Sequence, residues 1–577
     1  MFRRATAVVP APSTLPPREE LWLLAGALMA GIVLRWSVLG RLAVEHYDEA
    51  VYASNLLFGA ESGYEFPGRQ YHAPALLPSL IEWTTVLWNL LGLPNVAWLP
   101  MLPGLVCGTA LIPSVWWVSR RWFSPAAGVA AAWMVSLSEY HAFYSRTALT
   151  DPVVILWILW AVHWAWIALG DGSWKSSIMA GVFTALAWWT KYNGWLPIAI
   201  AFSGGLCDAL LTTHRQRDWL RLARVLATMT GAAFVLWSPV LWDCQVVGGY
   251  AAVAANHRGY LQGWSAWWGN WLRQNGNMSW YCGVPTIASW LAAAYASDWI
   301  SDREPATLRR GFGSIGLVVI ALVTILTGIG YPIAAGVGCG LCVSGLALRE
   351  RQRGNLHASE QRAGCLLAAW FGGLFLTTPL YQAYPRLCLP MWLAGVLGVA
   401  WCLHRCPETT SGSPLDGPLP RSVRSVWLSP WPALGATLLM VCVLVRTPAW
   451  EVRNQTRIAA RGLVSQVADH SRTIVYVYAD PALFHELSQA GFAAAPRGDF
   501  RIAKNPSAAE TLLALGLYVD RLRDFPENWA AEAHRFELLT ELPVEPSSLV
   551  LLDNDSPAEL LMDPARRKRI WKVFRVR

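Results

Sequence analysis

Eighteen successive residues, PVVILWILWAVHWAWIAL at 152–169, carry no charge. As a helix rising ~1.5 Å per residue, such a run nearly crosses the ~30 Å core of a bilayer. A surface helix of a soluble protein needs a polar face, and this run has none. It is one of many: uncharged runs recur along the chain, with Arg, Lys, Asp and Glu gathered mainly in the segments between them. Only 15% of the residues are charged and 54% are hydrophobic, whereas soluble domains run near ~25% charged. The fold class expected is a polytopic α-helical membrane protein. Trp116-Trp117 and Trp188-Trp189 stand near the ends of apolar runs, where an indole keeps its ring dry and its N–H wet. The formal charge of +8 would suit nucleic acid, but the basic residues come in short clusters between apolar runs. That is the pattern of cytoplasmic loops, so no nucleic-acid partner is expected.

Arg3, Arg4 and Arg18 place the segment 1–20 in the cytoplasm by the positive-inside rule. A first span is expected over about 21–39, and residues 40–82 then lie outside, with one or two short interfacial helices. Spans follow near 95–118, 124–138 and 152–169. One more ends at TKYNGW, one returns to the basic HRQRDWLRLAR, and one runs over 222–241. A long outer loop, 242–280, is rich in Trp, Tyr, Asn and Gly. Further spans are expected near 281–296, 312–328, 331–347, 362–379, 387–403 and 428–446, about thirteen in all. The membrane domain is therefore 21–446, with outer loops 40–82, 139–151 and 242–280, and a cytoplasmic (inner) membrane is the expected location.

From about residue 447 charged residues become frequent. TIVYVYA at 473–479 and SSLVLLD at 547–553 read as strands, and PALFHELSQAG and SAAETLLALGLYVDRL as helices. Residues 447–577 are expected to form a small extracytoplasmic α/β domain.

The polar residues that this topology puts outside are His46, Asp48, Glu49, Arg69, His72, Arg146, Asp151, Lys191, Tyr192, Asn193, His257, Arg258 and Arg386. A carboxylate costs ~2.5–3.5 kcal/mol at a bilayer centre, so the adjacent pair Asp48-Glu49 belongs at a helix mouth. Taken singly, each residue has a plain explanation. Acids favour a helix start, and Arg146 or Lys191 can snorkel from a helix end. Taken together, they fall into five short motifs: HYDEAVYA, YHAPALL, YSRTALTDP, TKYNGWLP and YPRLCLPMW.

These motifs, in this order, resemble the GT-C superfamily of integral membrane glycosyltransferases. More narrowly, they resemble the branch of the protein O-mannosyltransferases and the lipid A aminoarabinose transferases. The resemblance covers about residues 20–400. Two positions depart from the family pattern: Ala73 stands where a first proline is usual, and Leu387 where an aromatic is usual. The resemblance implies an inverting transfer of a sugar from a polyprenyl-phosphate donor to a hydroxyl of a protein, a lipid A-like lipid or an envelope glycan. It implies Asp48 as the base, with Glu49 shaping the site or holding acceptor. The departing phosphate asks for cations, and the candidates are His72, Arg146, Lys191 and Arg386. Tyr47, Tyr52, Tyr192, Asn193, His257 and Arg258 are candidates for the sugar or acceptor region. Asp48 and Asp151 are a candidate pair for a divalent cation, Mg²⁺ or Mn²⁺. The competing expectation is a transporter or flippase of lipid-linked saccharides, against which stands the lack of paired repeats.

Overall fold

The structure, a computed structural model, describes residues 18–54, 73–211, 215–281, 358–404 and 450–577, apart from short gaps between 498 and 524 and at 554 and 556. The first ten helices are α1 (Arg18–Trp36), α2 (Tyr47–Ala53), α3 (Leu76–Leu90), α4 (Leu102–Trp122), α5 (Pro125–Ser136), α6 (Glu139–Ser145), α7 (Asp151–Asp171), α8 (Trp174–Thr190), α9 (Leu196–Leu211) and α10 (Arg215–Trp237). Helices Ala358–Thr377 and Leu389–His404 complete the described bundle. Among the described residues, six helices are long and apolar enough to cross a membrane. The protein is thus a multi-pass, mainly helical membrane protein with a small C-terminal α/β domain. The spans expected near 281–296, 312–328, 331–347 and 428–446 lie outside the described residues.

Local sequence sets the helix ends. Ser124 caps α5 by accepting the Ala127 N–H, with Pro125 in the first turn. Gly172, at φ 70°, closes α7, and Ser173 opens α8 at once. These two helices pack along each other as an antiparallel pair. Close approach elsewhere depends on glycine. A Cβ at Gly104 would lie 2.7 Å from the Thr147 carbonyl oxygen, and one at Gly108 would lie 2.1 Å from Ser145 Oγ. Their absence lets α4 lie directly against the connection between α6 and α7, which carries YSRTALTDP.

The C-terminal domain holds a five-stranded sheet, ordered β2-β1-β3-β5-β4, from β1 (Thr473–Tyr478), β2 (Ala493–Arg497), β3 (Glu510–Leu515), β4 (Phe536–Val544) and β5 (Arg569–Val576). β2, β1 and β3 are parallel and β5 and β4 antiparallel. Helix Pro481–Gln489 makes the crossover from β1 to β2 that a parallel pair requires.

Three expectations are corrected. ETLLAL, expected within a helix, is the central strand β3, because a short apolar run flanked on both edges by strands is buried on both faces. SSLVLLD, expected as a strand, starts a one-turn helix, Ser548–Leu551. Glu451 takes both the N–H and the hydroxyl of Ser548 there. Finally α2, expected at the interface, is buried, because helix Pro481–Gln489 packs over it.

Candidate active site

α2 opens with a capping box. His46 Nδ1 accepts the Asp48 N–H at 3.1 Å, and Glu49 Oε2 accepts the His46 N–H at 3.1 Å. The geometry separates the two adjacent acids. Glu49 is fully buried, and both of its oxygens are occupied. Oε2 also takes the Glu45 N–H at 3.2 Å; Oε1 takes the Ala148 N–H at 3.0 Å and lies 3.4 Å from Arg453 Nη1. It therefore binds together the α1–α2 loop, the α6–α7 connection and the segment around Arg453 that leads to the C-terminal domain.

Asp48 is the more exposed of the two acids, at 9% against 0%. Its Oδ2 lies 2.6 Å from Arg386 Nη2. Arg386 sits in the turn Pro385–Cys388, whose Pro385 carbonyl is held by the Tyr140 hydroxyl at 2.5 Å. Burial alone would lower the Arg386 pKa. Asp48, then Asp553 and Asp151, outweigh it and push the pKa well above the usual guanidinium range. Arg386 therefore stays charged at any working pH. Tyr52, buried beside this group, is pushed up by burial and then by Asp48, so its hydroxyl keeps its proton. Tyr47 is buried in the core at the start of α2.

A second pair stands next to the first. Lys191 Nζ lies 2.7 Å from Asp151 Oδ1, joining TKYNGW to TALTDP. Asp151 is buried and its Oδ2 has no hydrogen-bond partner. Lys191 is the more exposed partner, at 22% against 3%. Tyr192 packs edge-on against His257, with ring centroids 5.0 Å apart, and His257 Nδ1 bonds the Val253 carbonyl. Asn193 and Arg258 are exposed, and no contact among the described residues ties either to the two pairs. His72 lies outside the described residues.

Arg146 takes a different position from Arg386. It is fully buried, and its Nη1 donates to the carbonyls of Arg35 and Ser37, both at 2.7 Å. It thereby satisfies the open carbonyls at the end of α1, and its own carbonyl accepts from Arg453. Nη1 is thus held by the backbone, while Nε and Nη2, equally buried, have no hydrogen-bond partner among the described residues.

The divalent-cation expectation does not fit these residues as they stand. Asp48 and Asp151 are each paired with a protein cation, and among the described residues no three His, Cys, Asp or Glu side chains converge as ligands. Arg386 supplies the cation at Asp48, and Lys191 the cation at Asp151.

Sequence reasoning missed the contribution of the C-terminal domain. Asp553 Oδ2 lies 2.5 Å from His46 Nε2. Burial raises the Asp553 pKa, but His46, followed by Arg386, outweighs it and leaves Asp553 below its ordinary value. Glu45 takes the N–H groups of Gln455 and Ser547, at 2.7 and 3.3 Å. Asp553 does end an apolar run in the sequence, but its partner is 507 residues away, and no spacing rule reaches that far.

Comparison with known proteins agrees with this architecture. Residues 77–242 match the family model described as dolichyl-phosphate-mannose-protein mannosyltransferase. Among solved structures, ArnT from Cupriavidus metallidurans bound to undecaprenyl phosphate superposes with a TM-score of 0.51 at 13% identity, over 97% of this chain and 98% of that one. The chain has the GT-C fold. The archaeal oligosaccharyltransferase AglB from Archaeoglobus fulgidus, in complex with an inhibitory peptide and a dolichol-phosphate, also matches this fold. Its TM-score is 0.51 at 12% identity, over 87% of this chain and 70% of that one. No curated protein matches the chain by sequence. The resemblance to the O-mannosyltransferase and aminoarabinose-transferase branch thus holds at the level of the GT-C fold and of the family model.

Proposed function

We propose that this GT-C protein is an inverting glycosyltransferase that moves a sugar from a polyprenyl phosphate to a hydroxyl acceptor at the outer face of the cytoplasmic membrane. The observation that carries this reading is the Asp48–Arg386 pair, an acid and a phosphate-seeking cation 2.6 Å apart at the end of a membrane bundle. The lipid phosphates named with ArnT and AglB support the donor class.

In the reaction, the acceptor oxygen attacks the anomeric carbon from the face opposite the phosphate. The bond from that carbon to the phosphate oxygen breaks, and the phosphate keeps the electron pair. The acceptor proton passes to Asp48, a carboxylate in position as general base. Arg386 and Lys191 meet the charge that grows on the phosphate, and stabilisation of that kind is often the largest catalytic term.

The resting ion pair has a mechanistic consequence. Unit charges ~4 Å apart attract by ~4 kcal/mol at an effective dielectric of ~20, so Arg386 weakens Asp48 as a base while the two are alone. A donor phosphate competes for the same guanidinium, whose planar fork can serve two oxyanions. Donor binding then frees Asp48 for the acceptor hydroxyl. Asp151 Oδ2, buried and without a partner, is placed to accept a sugar hydroxyl. Tyr47 and Tyr52 shape the wall behind Asp48, while Glu49 and Arg146 hold the frame.

The test is transfer from a panel of polyprenyl-phosphate sugars by the purified protein in nanodiscs, comparing wild type with Asp48→Asn. Transfer by wild type, lost in a folded Asn variant that still binds donor, is the expected result. Equal transfer by both removes Asp48 from the chemistry. Translocation of lipid-linked saccharide without transfer overturns the transferase reading.

A further inference from the structure

We infer that the C-terminal domain completes the active site, with Asp553 as a positioning residue that acts through His46 on the Asp48 loop. The inference rests on the transferase reading above and names a residue which that reading does not need.

The chain of contacts is short. His46 Nδ1 accepts the Asp48 N–H, so the ring hydrogen of a neutral imidazole belongs on Nε2. Nε2 then donates to Asp553 Oδ2 at 2.5 Å. One carboxylate from the C-terminal domain thus fixes both the tautomer and the plane of the ring that holds the Asp48 backbone. A carboxylate on the far side of a histidine commonly does this where the near side must be held accurately.

Asp553 is itself held in place. It follows the helix Ser548–Leu551, whose start is tied to Glu451 through Ser548 and to Glu45 through the Ser547 N–H. The other end of α2 is fastened to the same domain, where Ser54 Oγ lies 2.9 Å from His485 Nδ1. The strand entering the domain pairs with the loop before α2: Leu42 bridges Arg453, and the Arg453 N–H donates to the Arg41 carbonyl at 2.8 Å. The loop that carries Asp48 is therefore gripped at both ends by a domain far from it in sequence. Contacts that only docked the domain would not need an acid on the ring that caps the catalytic turn.

The experiment compares full-length wild type with Asp553→Asn, Asp553→Glu and His46→Gln in nanodiscs, using whichever donor the wild type turns over. Asp553→Asn is expected to lower kcat about 10- to 100-fold, the usual cost of losing such a supporting partner. The donor and acceptor KM should stay within about threefold and the unfolding midpoint should be unchanged. Asp553→Glu, which keeps the charge, is expected to recover part of kcat. Full kcat in Asp553→Asn, a rise in KM with kcat intact, or no recovery in Asp553→Glu with a lowered midpoint each overturns the inference. Imidazole ¹⁵N NMR of His46 separates this failure from failure of the transferase reading. The Nε2–H tautomer in wild type, lost in Asp553→Asn, supports the contact even if no donor is turned over. The same spectrum in both proteins removes it.

Discussion

Two neighbouring acids, Asp48 and Glu49, should give opposite phenotypes. Glu49 is fully buried and accepts the N–H groups of Glu45, His46 and Ala148 while facing Arg453, which is itself 1% exposed. In Glu49→Gln, one of the two oxygens becomes an amide that can only donate. Turned one way it faces the N–H groups of Glu45 and His46; turned the other it faces Ala148 and Arg453. Either way a donor meets donors, and Arg453 loses its carboxylate. Removing one partner of a buried ion pair costs about 3–5 kcal/mol. Asp48→Asn is a smaller loss to the fold. Its side chain is 12% exposed, and Arg386 keeps Asp553 and Asp151 as neighbouring charges. A cost of about 1–2 kcal/mol is expected there. Thermal unfolding of the purified proteins, followed by tryptophan fluorescence, and single-turnover transfer distinguish the two. The expected result is a strongly destabilised Glu49→Gln that keeps activity in its folded fraction, beside a less destabilised but inactive Asp48→Asn. An unchanged midpoint in Glu49→Gln, or a destabilised Asp48→Asn with normal turnover, would refute this assignment of frame and chemistry.

Arg386→Gln should lower transfer about 100- to 1,000-fold, the range seen when a donor aimed at developing charge is removed, and weaken binding of a polyprenyl phosphate; unaltered turnover would count against its phosphate role. Lys191→Met should lower kcat as well as raise the donor KM, because Lys191 meets the charge that grows on the phosphate; a rise in donor KM with kcat intact would show that it only binds the donor. The stability of the inter-domain seam should fall as pH rises. Burial pushes Glu45 and Glu486 up to about 7. A carboxyl raised in the fold holds a proton that the unfolded chain has lost, so the stability it lends is full below its ordinary pKa and is lost as pH passes its folded value. Burial keeps His485 down at about 4, so it is neutral across this window. Unfolding midpoints should therefore decline from pH 5 to 8, less steeply in Glu486→Gln; a midpoint that climbs over that range would contradict the seam's protonation. A chelator should leave the rate unchanged, and a loss restored by Mg²⁺ or Mn²⁺ would show that Asp48 and Asp151 rearrange around a metal.

What could be read from sequence, and what could not, divides by the range of the interaction. The span over 152–169 was legible because a run without charge has one stable home. HYDEAVYA, YSRTALTDP, TKYNGW and YPRLCLPMW were legible as polar islands at helix ends, and the structure does bring Asp48 to Arg386 and Asp151 to Lys191. Composition could not separate Asp48 from Glu49, because the difference lies in which backbone N–H groups each acid meets. Nor could it separate Arg146 from Arg386. Both are cations in short polar motifs, yet Nη1 of one is held by the carbonyls at the end of α1 and the other faces three acids. The strand β3 and the turn at Ser548 were misread for the same reason: short apolar runs take their conformation from partners elsewhere in the chain.

That division also bears on the C-terminal domain. A domain added to a membrane bundle could sit beside the site as a cover or a docking surface, and its own motifs would then be the place to look for function. Here the domain's informative residues are those facing the bundle. Asp553 meets His46, Arg453 meets Glu49, and the N–H groups of Gln455 and Ser547 meet Glu45. Glu45, His46 and Glu49, and Asp48 through His46, are fixed by residues more than 400 positions later. A loop held that way is ordered only when the last part of the chain has folded onto it. The protein should therefore acquire its Asp48 geometry late in folding, and a chain cut after the last membrane helix should keep its bundle but lose both the capping box and transfer.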